Sequence, residues 1–170
     1  MSFPSTSVGA TLANPVGTCT LTYQPLDTDA IIKSVQDDAA GAIAVFIGTT
    51  RNSFKGKVVT RLEYQAYSKL AIKTMADILE QANQQSHEPT HAPQSKTSLI
   101  KGEIHHRLGT VPVGEPSIVI AVSSPHRKEA FVACEYILEE VKQRAQIWKR
   151  EFYEGEDEST AQWKENYEAA

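Results

Sequence analysis

Two lysines seven residues apart, Lys142 and Lys149, and a run of cations at His126, Arg127 and Lys128 are the groups of this 170-residue chain whose types and spacing suit chemistry on an anion. Ammonium and guanidinium groups make charge-assisted hydrogen bonds to carboxylates and phosphates, and an ammonium beside a developing oxyanion stabilises it or hands it a proton. A further cation, Arg51, follows directly on the apolar run GAIAVFIGTT.

The elements that must position these groups are legible around them. Ser124 can cap a helix and Pro125 can take its first position, so a helix is expected from there to about Gln146. Cations in its first turn oppose the helix dipole while the free N–H groups there favour an anion, so either a bound anion or a solvated charged turn is consistent with the pattern. Phe131, Cys134, Leu138, Val141 and Ala145 recur at helical spacing and define a buried face. At 100° per residue Lys142 falls roughly 20° from Phe131 and roughly 40° from Leu138, so its stem lies on apolar surface. IWKREF then alternates as a strand, with Ile147, Lys149 and Glu151 on one side and Trp148, Arg150 and Phe152 on the other. With the chain turning between them, Lys142 and Lys149 can either wall one cationic pocket or simply snorkel.

Earlier segments supply a sheet. Residues 1–17, rich in Ser, Thr, Gly and Pro, read as a disordered lead-in to a single domain over 18–170. A strand is expected at 18–23 and a helix capped by Asp27 to about Asp38. Residues 41–50 read as a central strand covered on both faces, and 58–67 as its hairpin partner. A long helix follows over 68–85, then a polar loop at 86–98, then strands at 99–109 and 116–124. The interleaved order predicts an α+β fold, a mostly antiparallel sheet with flanking helices. His87 and His91 have the spacing of a helical metal pair, but Pro89 removes the helix, so no metal site is expected.

Composition excludes several classes. With 17 Lys and Arg against 21 Asp and Glu, the net charge of −4 does not suit a general nucleic-acid binder. The acids crowd into 150–170, where seven stand against Arg150 and Lys164, and read as solvated surface. Two cysteines, Cys19 and Cys134, offer neither a disulfide framework nor a CxxC motif, and both read as core. No signal-like or membrane-spanning run is present in the sequence, and a soluble cytosolic protein is expected.

Three blocks in order, FIGTTRNSFKG, HRLGTVPVGEPSIVIAVSSPHRKEAF and VKQRAQIWKRE, resemble the large, catalytic subunit of molybdopterin synthase over most of residues 41–152. The resemblance implies an α/β-hammerhead type core, a homodimer with a small ubiquitin-like subunit docked at each end, and no cofactor. It also implies a reaction: two sulfur transfers from the C-terminal thiocarboxylate of the small subunit convert cyclic pyranopterin monophosphate to molybdopterin. Matched residue by residue, Lys142 and Lys149 take the catalytic positions, Arg51, His126 and Arg127 the anion-binding ones, and Phe46 and Leu138 the pocket walls. Gln146 stands where the family usually has proline, and Thr50 where valine is commoner.

Helix geometry adds a constraint. Arg127 and Lys142 are fifteen residues apart, about 22 Å along a helix, too far for one small pterin to touch both. If both serve one substrate, each must come from a different subunit of a symmetric dimer. A non-catalytic module that uses the same cations to bind a ubiquitin-like tail or a phosphorylated ligand is the competing reading.

Overall fold

The computed structural model describes residues 6–85 and 99–167, and its architecture is α+β. Its larger sheet runs β1 (Ala10–Ala13), β2 (Gly17–Thr22), β6 (Lys101–Arg107), β8 (Pro116–Ser124), β3 (Ala42–Thr49). Only the β2–β6 pairing is parallel. The second sheet runs β10 (Lys164–Glu165), β9 (Ile147–Tyr153), β5 (Lys57–Ala66), β4 (Ser53–Phe54), with β7 (Gly109–Pro112) also paired to β5. Two long helices, α2 (Ser68–Gln85) and α3 (Arg127–Arg144), cover one face of the larger sheet, and α1 (Thr28–Ser34) covers the other. The main core lies under the long helices, where Met75, Ile78 and Leu79 meet Ile104, Ile120 and Ile137. A smaller cluster of Ile31, Val35, Val119 and Ala121 lies beneath α1. No described helix is long and apolar enough to cross a membrane.

Several expectations need correction. The segment 41–50 is not central: β3 is a sheet edge, and the strand buried along its length is β8. A continuous apolar run signals two covered faces, but here only Ala42, Ala44 and Phe46 pack against the core, leaving Ile43, Val45 and Ile47 exposed. The hairpin partner of β5 is therefore β4, through a turn in which both Lys55 (φ 48°) and Gly56 (φ 78°) are left-handed, the geometry that matches strand twist in a tight hairpin. Helix α1 stops at Ser34, short of Asp38.

The lead-in is not disordered across 1–17. Residues from Thr6 onward are tied in, because polar side chains that look like linker composition act as local partners. Ser68 Oγ accepts from the Val8 N–H at 2.9 Å, Ser7 Oγ accepts from the Ala66 N–H at 3.0 Å, and Asn14 Oδ1 accepts from the Val16 and Gly17 N–H groups. Between them Ala10–Ala13 pairs with β2. The 86–98 loop, with His87 and His91, lies outside the described residues.

Helix α3 differs in rotation. It buries Ala130, Ala133, Cys134, Ile137 and Val141, while Phe131 is 68% exposed and Leu138 partly buried. Alanines at 130 and 133 let the helix backbone approach the sheet, so the small side chains rather than the large one take the inner face. Ser124 belongs to β8 and its hydroxyl donates to the His126 carbonyl; His126 is the N-cap residue and makes no side-chain capping bond.

Candidate active site

Where α3 ends, the chain must reverse into β9 without a glycine or proline. Ala145 leaves the helix in extended conformation (ψ 136°), and Gln146 holds the corner. Its Oε1 accepts from Thr74 Oγ1 at 3.0 Å, its Nε2 donates to the Arg144 carbonyl at 3.0 Å, and its own carbonyl accepts from the Tyr67 N–H at 3.0 Å. The glutamine thus makes by hydrogen bonding the bend that a proline would make by ring constraint. It turns Lys142 and Lys149 toward the same side.

They meet in a cavity of about 220 Å³. The end of β3 contributes Phe46, Gly48 and, just beyond it, Arg51; α3 contributes Lys142, and β9 contributes Lys149 and Glu151. Tyr64 of β5, His106 of β6 and Ser117 of β8 form its inner wall, and Asn166 reaches it from beyond β10. Three cations from three elements thus face one space. Arg51 is placed there by buried Thr50, whose N–H donates to the Glu115 carbonyl at 3.2 Å, whose hydroxyl donates to the Val111 carbonyl at 3.3 Å, and whose carbonyl accepts from the Gly114 N–H at 2.9 Å. A valine at position 50 would lack the middle bond.

The pairing of these cations sets them apart. Elsewhere arginines and lysines hold carboxylates closely: Arg61 with Glu158 at 2.8 Å, Arg144 with Glu140 at 2.9 Å, Arg150 with Glu63 at 3.0 Å. Among the described residues neither Arg51 nor Lys142 has an ion-pair partner. Lys149 Nζ is 3.9 Å from Glu151 Oε1, at the outer limit of an ion pair, while the other Glu151 oxygen accepts from the Tyr153 hydroxyl. The site therefore carries a net positive charge available to an incoming anion.

The inner wall is neutral. Burial pushes the His106 imidazole down to about 4, only partly offset by its Nδ1–H donating to the Arg107 carbonyl at 2.8 Å. Its ring meets that of Tyr64 edge-on at 4.8 Å, and burial together with the Glu151 charge keeps the Tyr64 phenol protonated beyond its ordinary range, against the opposing effect of a hydrogen bond with Ser117.

Of the residues singled out from sequence, Arg51, Lys142, Lys149 and Phe46 line this cavity, whereas Leu138 packs beside the main core. His126 and Arg127 are exposed at the opposite end of α3. Tyr64, His106, Ser117 and Glu151 escaped sequence reasoning. Only Glu151 left a signal, its alternation with Lys149 on one face of β9. A larger hollow of about 730 Å³, walled by Tyr67, Leu70, Trp148 and Trp163, has no charged side chain. Both cysteines are buried, and burial pushes their thiols up to about 12 for Cys19 and about 11 for Cys134, so neither is a ready nucleophile. No cluster of three or more metal-ligating side chains occurs among the described residues.

The chain is similar to known proteins over most of its length. A family model described as MoaE protein matches residues 21–144. The molybdopterin synthase catalytic subunit 2 of Aedes aegypti is 43% identical over 150 residues, covering 88% of this chain and 90% of that one. The molybdopterin synthase catalytic subunit of Pyricularia oryzae is 44% identical over 150 residues, with 88% and 75% covered. The crystal structure of molybdopterin synthase from Staphylococcus aureus superposes with a TM-score of 0.71 at 33% identity, over 85% of this chain and 94% of that one.

Proposed function

The chain belongs to the MoaE family, and from that premise we propose that the pocket of Arg51, Lys142 and Lys149 is where it transfers sulfur to a phosphorylated pterin. It is a sulfurtransferase of molybdenum cofactor biosynthesis, the catalytic subunit of a molybdopterin synthase. The substrate is cyclic pyranopterin monophosphate, and the sulfur arrives as the C-terminal thiocarboxylate of a small ubiquitin-like subunit. Two transfers give the dithiolene of molybdopterin.

The observation that carries this reading is the convergence of three cations, two of them without an ion-pair partner among the described residues, on one cavity of a chain whose net charge is −4. Thiocarboxylate and phosphate are both anions, and bringing them together requires positive charge to offset their repulsion. Lys142 donates a hydrogen bond or proton to the oxyanion formed when the thiocarboxyl carbon or its adduct is attacked, and Lys149, held by Glu151, assists. Arg51 takes the phosphate. Phe46 lies against the heterocycle. The buried thiols explain why sulfur must come from another chain.

His126 and Arg127, about 22 Å away along α3, complete the site in a homodimer in which each pocket receives them from the other subunit. Leu138 then lines the approach rather than the cavity.

Combining the chain with a thiocarboxylated partner and pyranopterin monophosphate tests the function. Dithiolene product is expected, and its absence with both reactants verified would refute it. Mixing Lys142→Ala with Arg127→Ala chains tests the sharing: hybrid dimers should recover one competent site each, and verified hybrids with no activity would show the pocket to be complete within one chain.

A further inference from the structure

Beyond β9 the chain passes the acidic stretch 154–158 and returns as β10, two residues long, on the outer edge of the second sheet. Its placement is fixed from both faces. Lys164 lies opposite Lys149 and Glu165 opposite Trp148, and the Arg150 guanidinium, on the reverse face of β9, stacks 4.7 Å from the centre of the Trp163 ring. Side chains alternate across a strand, so Trp163 and Glu165 fall on the face turned from the cavity, and Lys164 and Asn166 on the face of Lys149. Asn166 accordingly lines the cavity with Arg51, Lys142 and Lys149.

The three cations can only donate hydrogen bonds. They suit phosphate and oxyanion oxygens and offer nothing to the N–H groups of a heterocycle. The inner wall is committed elsewhere: Ser117 Oγ donates to the Gly48 carbonyl at 3.3 Å, Tyr64 shares a hydrogen bond with Ser117, and His106 Nδ1–H donates to the Arg107 carbonyl. Glu151 accepts from the Tyr153 hydroxyl with one oxygen and stands 3.9 Å from Lys149 with the other. Asn166 differs from all of these. It is the one carboxamide among the described residues that line the cavity, and its amide has no hydrogen-bond partner among the described residues. It is also half-buried, where a hydrogen bond is electrostatically stronger than in open water.

We propose, on the reading that this cavity takes a phosphorylated pterin, that Asn166 recognises the lactam edge of the heterocycle: its Nδ2 donates to the ring carbonyl and its Oδ1 accepts from the adjacent ring N–H. A carboxamide and a cyclic amide present complementary donor–acceptor pairs, the same kind of two-bond match by which asparagine reads the edge of adenine. Phe46 takes the face of the ring, Arg51 its phosphate and Asn166 its edge. Three contacts of different kinds thus fix the orientation of the heterocycle before Lys142 and Lys149 act on it. A phosphorylated ring without a neighbouring N–H and carbonyl leaves the Asn166 amide unpaired and binds less well.

Steady-state kinetics of the complex with its thiocarboxylated small subunit, and calorimetric titration of the same complex with free pterin and with inorganic phosphate, test this. Asn166→Ala should raise KM for pyranopterin monophosphate by about tenfold or more, with kcat within about threefold of wild type. Free pterin has the lactam edge and no phosphate, so its Kd should rise by about tenfold or more in Asn166→Ala while that of inorganic phosphate stays unchanged. Arg51→Ala should show the reverse. Asn166→Asp, nearly isosteric, keeps an acceptor but loses the donor, and should weaken pterin at least as much as Asn166→Ala; it decides the matter if the alanine variant fails to fold. Glu165→Ala, on the same short strand but facing away beside Trp148, should leave KM and both Kd values at wild type. Equal losses in Glu165→Ala would trace the effect to a loosened β10 and overturn the assignment, as would wild-type KM and pterin affinity in Asn166→Ala. If free pterin binds too weakly to titrate, the KM comparison decides. A wild-type complex that forms no dithiolene refutes the function proposed for the pocket, whereas pterin affinity lost only on changing Asn166 still upholds the edge contact.

Discussion

His106 offers a sharp test of how the inner wall of the pocket is built. It is buried against Tyr64, and burial lowers its pKa from 6.5 to about 4. The unfolded chain therefore binds a proton here that the folded chain refuses, so stability contributed by keeping His106 neutral is present at pH 7 and is lost as pH falls through 6.5 toward 4. At pH 5 nearly all unfolded chains and about one folded chain in ten carry the proton; integrating from pH 7 gives a loss of about 2 kcal/mol, rising to about 3 kcal/mol below pH 4. Other shifted groups act elsewhere on the scale. The Asp37, Asp157 and Glu158 carboxyls are held below their usual range, chiefly by the Ala39 N–H, the Ser159 N–H and the Arg61 guanidinium respectively, so their contributions are lost mainly as pH falls below 3.8 for the two aspartates and below 4.5 for the glutamate. Urea unfolding at pH 7 and pH 5, at fixed ionic strength, should show the wild-type chain losing about 2 kcal/mol more than His106→Gln, which has nothing to titrate. His106→Phe serves as a second variant of the same kind. Equal losses in wild type and both variants would refute the reasoning.

Other expected outcomes follow from the same geometry. Arg51→Ala should raise KM for the phosphorylated pterin by about tenfold or more with a smaller change in kcat, as for loss of a ground-state phosphate contact, and steady-state kinetics would show it. Gln146→Pro should keep turnover and change unfolding stability by no more than about 1 kcal/mol, because Ala145 already has the extended backbone a following proline requires and only the Thr74 bond and the local Arg144 bond are lost. Gly48→Ala should cost about 1–3 kcal/mol and narrow the pocket, since its Cβ would lie 2.7 Å from Ile118 Cγ2 and 3.2 Å from Phe46 Cε1; thermal unfolding and kcat/KM report the two effects.

What could be read from sequence is what depends on near neighbours along the chain. The α3 to β9 unit is partly such a case: helical spacing and then strand alternation place Lys142 and Lys149 on either side of the turn, but the bend that brings them to one side is held by the Thr74 and Tyr67 hydrogen bonds to Gln146, which spacing does not reveal. The position of β3 is not. An apolar run looks the same whether its second face meets a helix or another molecule, so its edge location emerges only from the pairing of β8 with β6 and β3. Phe131 misled for a related reason: periodicity gives a helix its apolar arc, but Ala130 and Ala133 decide which part of the arc touches the sheet. The neutral wall was invisible because Tyr64, His106 and Ser117 come from three strands joined by long-range register. Resemblance to known synthases supplied Arg51 and Phe46, which spacing by itself would have left at a strand end.

The claim on which everything else depends is that Lys142 acts on the reacting atoms and does not merely help to dock the sulfur carrier. Single-turnover formation of dithiolene by Lys142→Ala, with thiocarboxylated partner and pyranopterin monophosphate saturating, measures this directly. The rate should fall by about 10²-fold or more, the loss typical of removing one oxyanion donor, while affinity for the partner changes by no more than a few-fold. An undiminished rate would contradict the account.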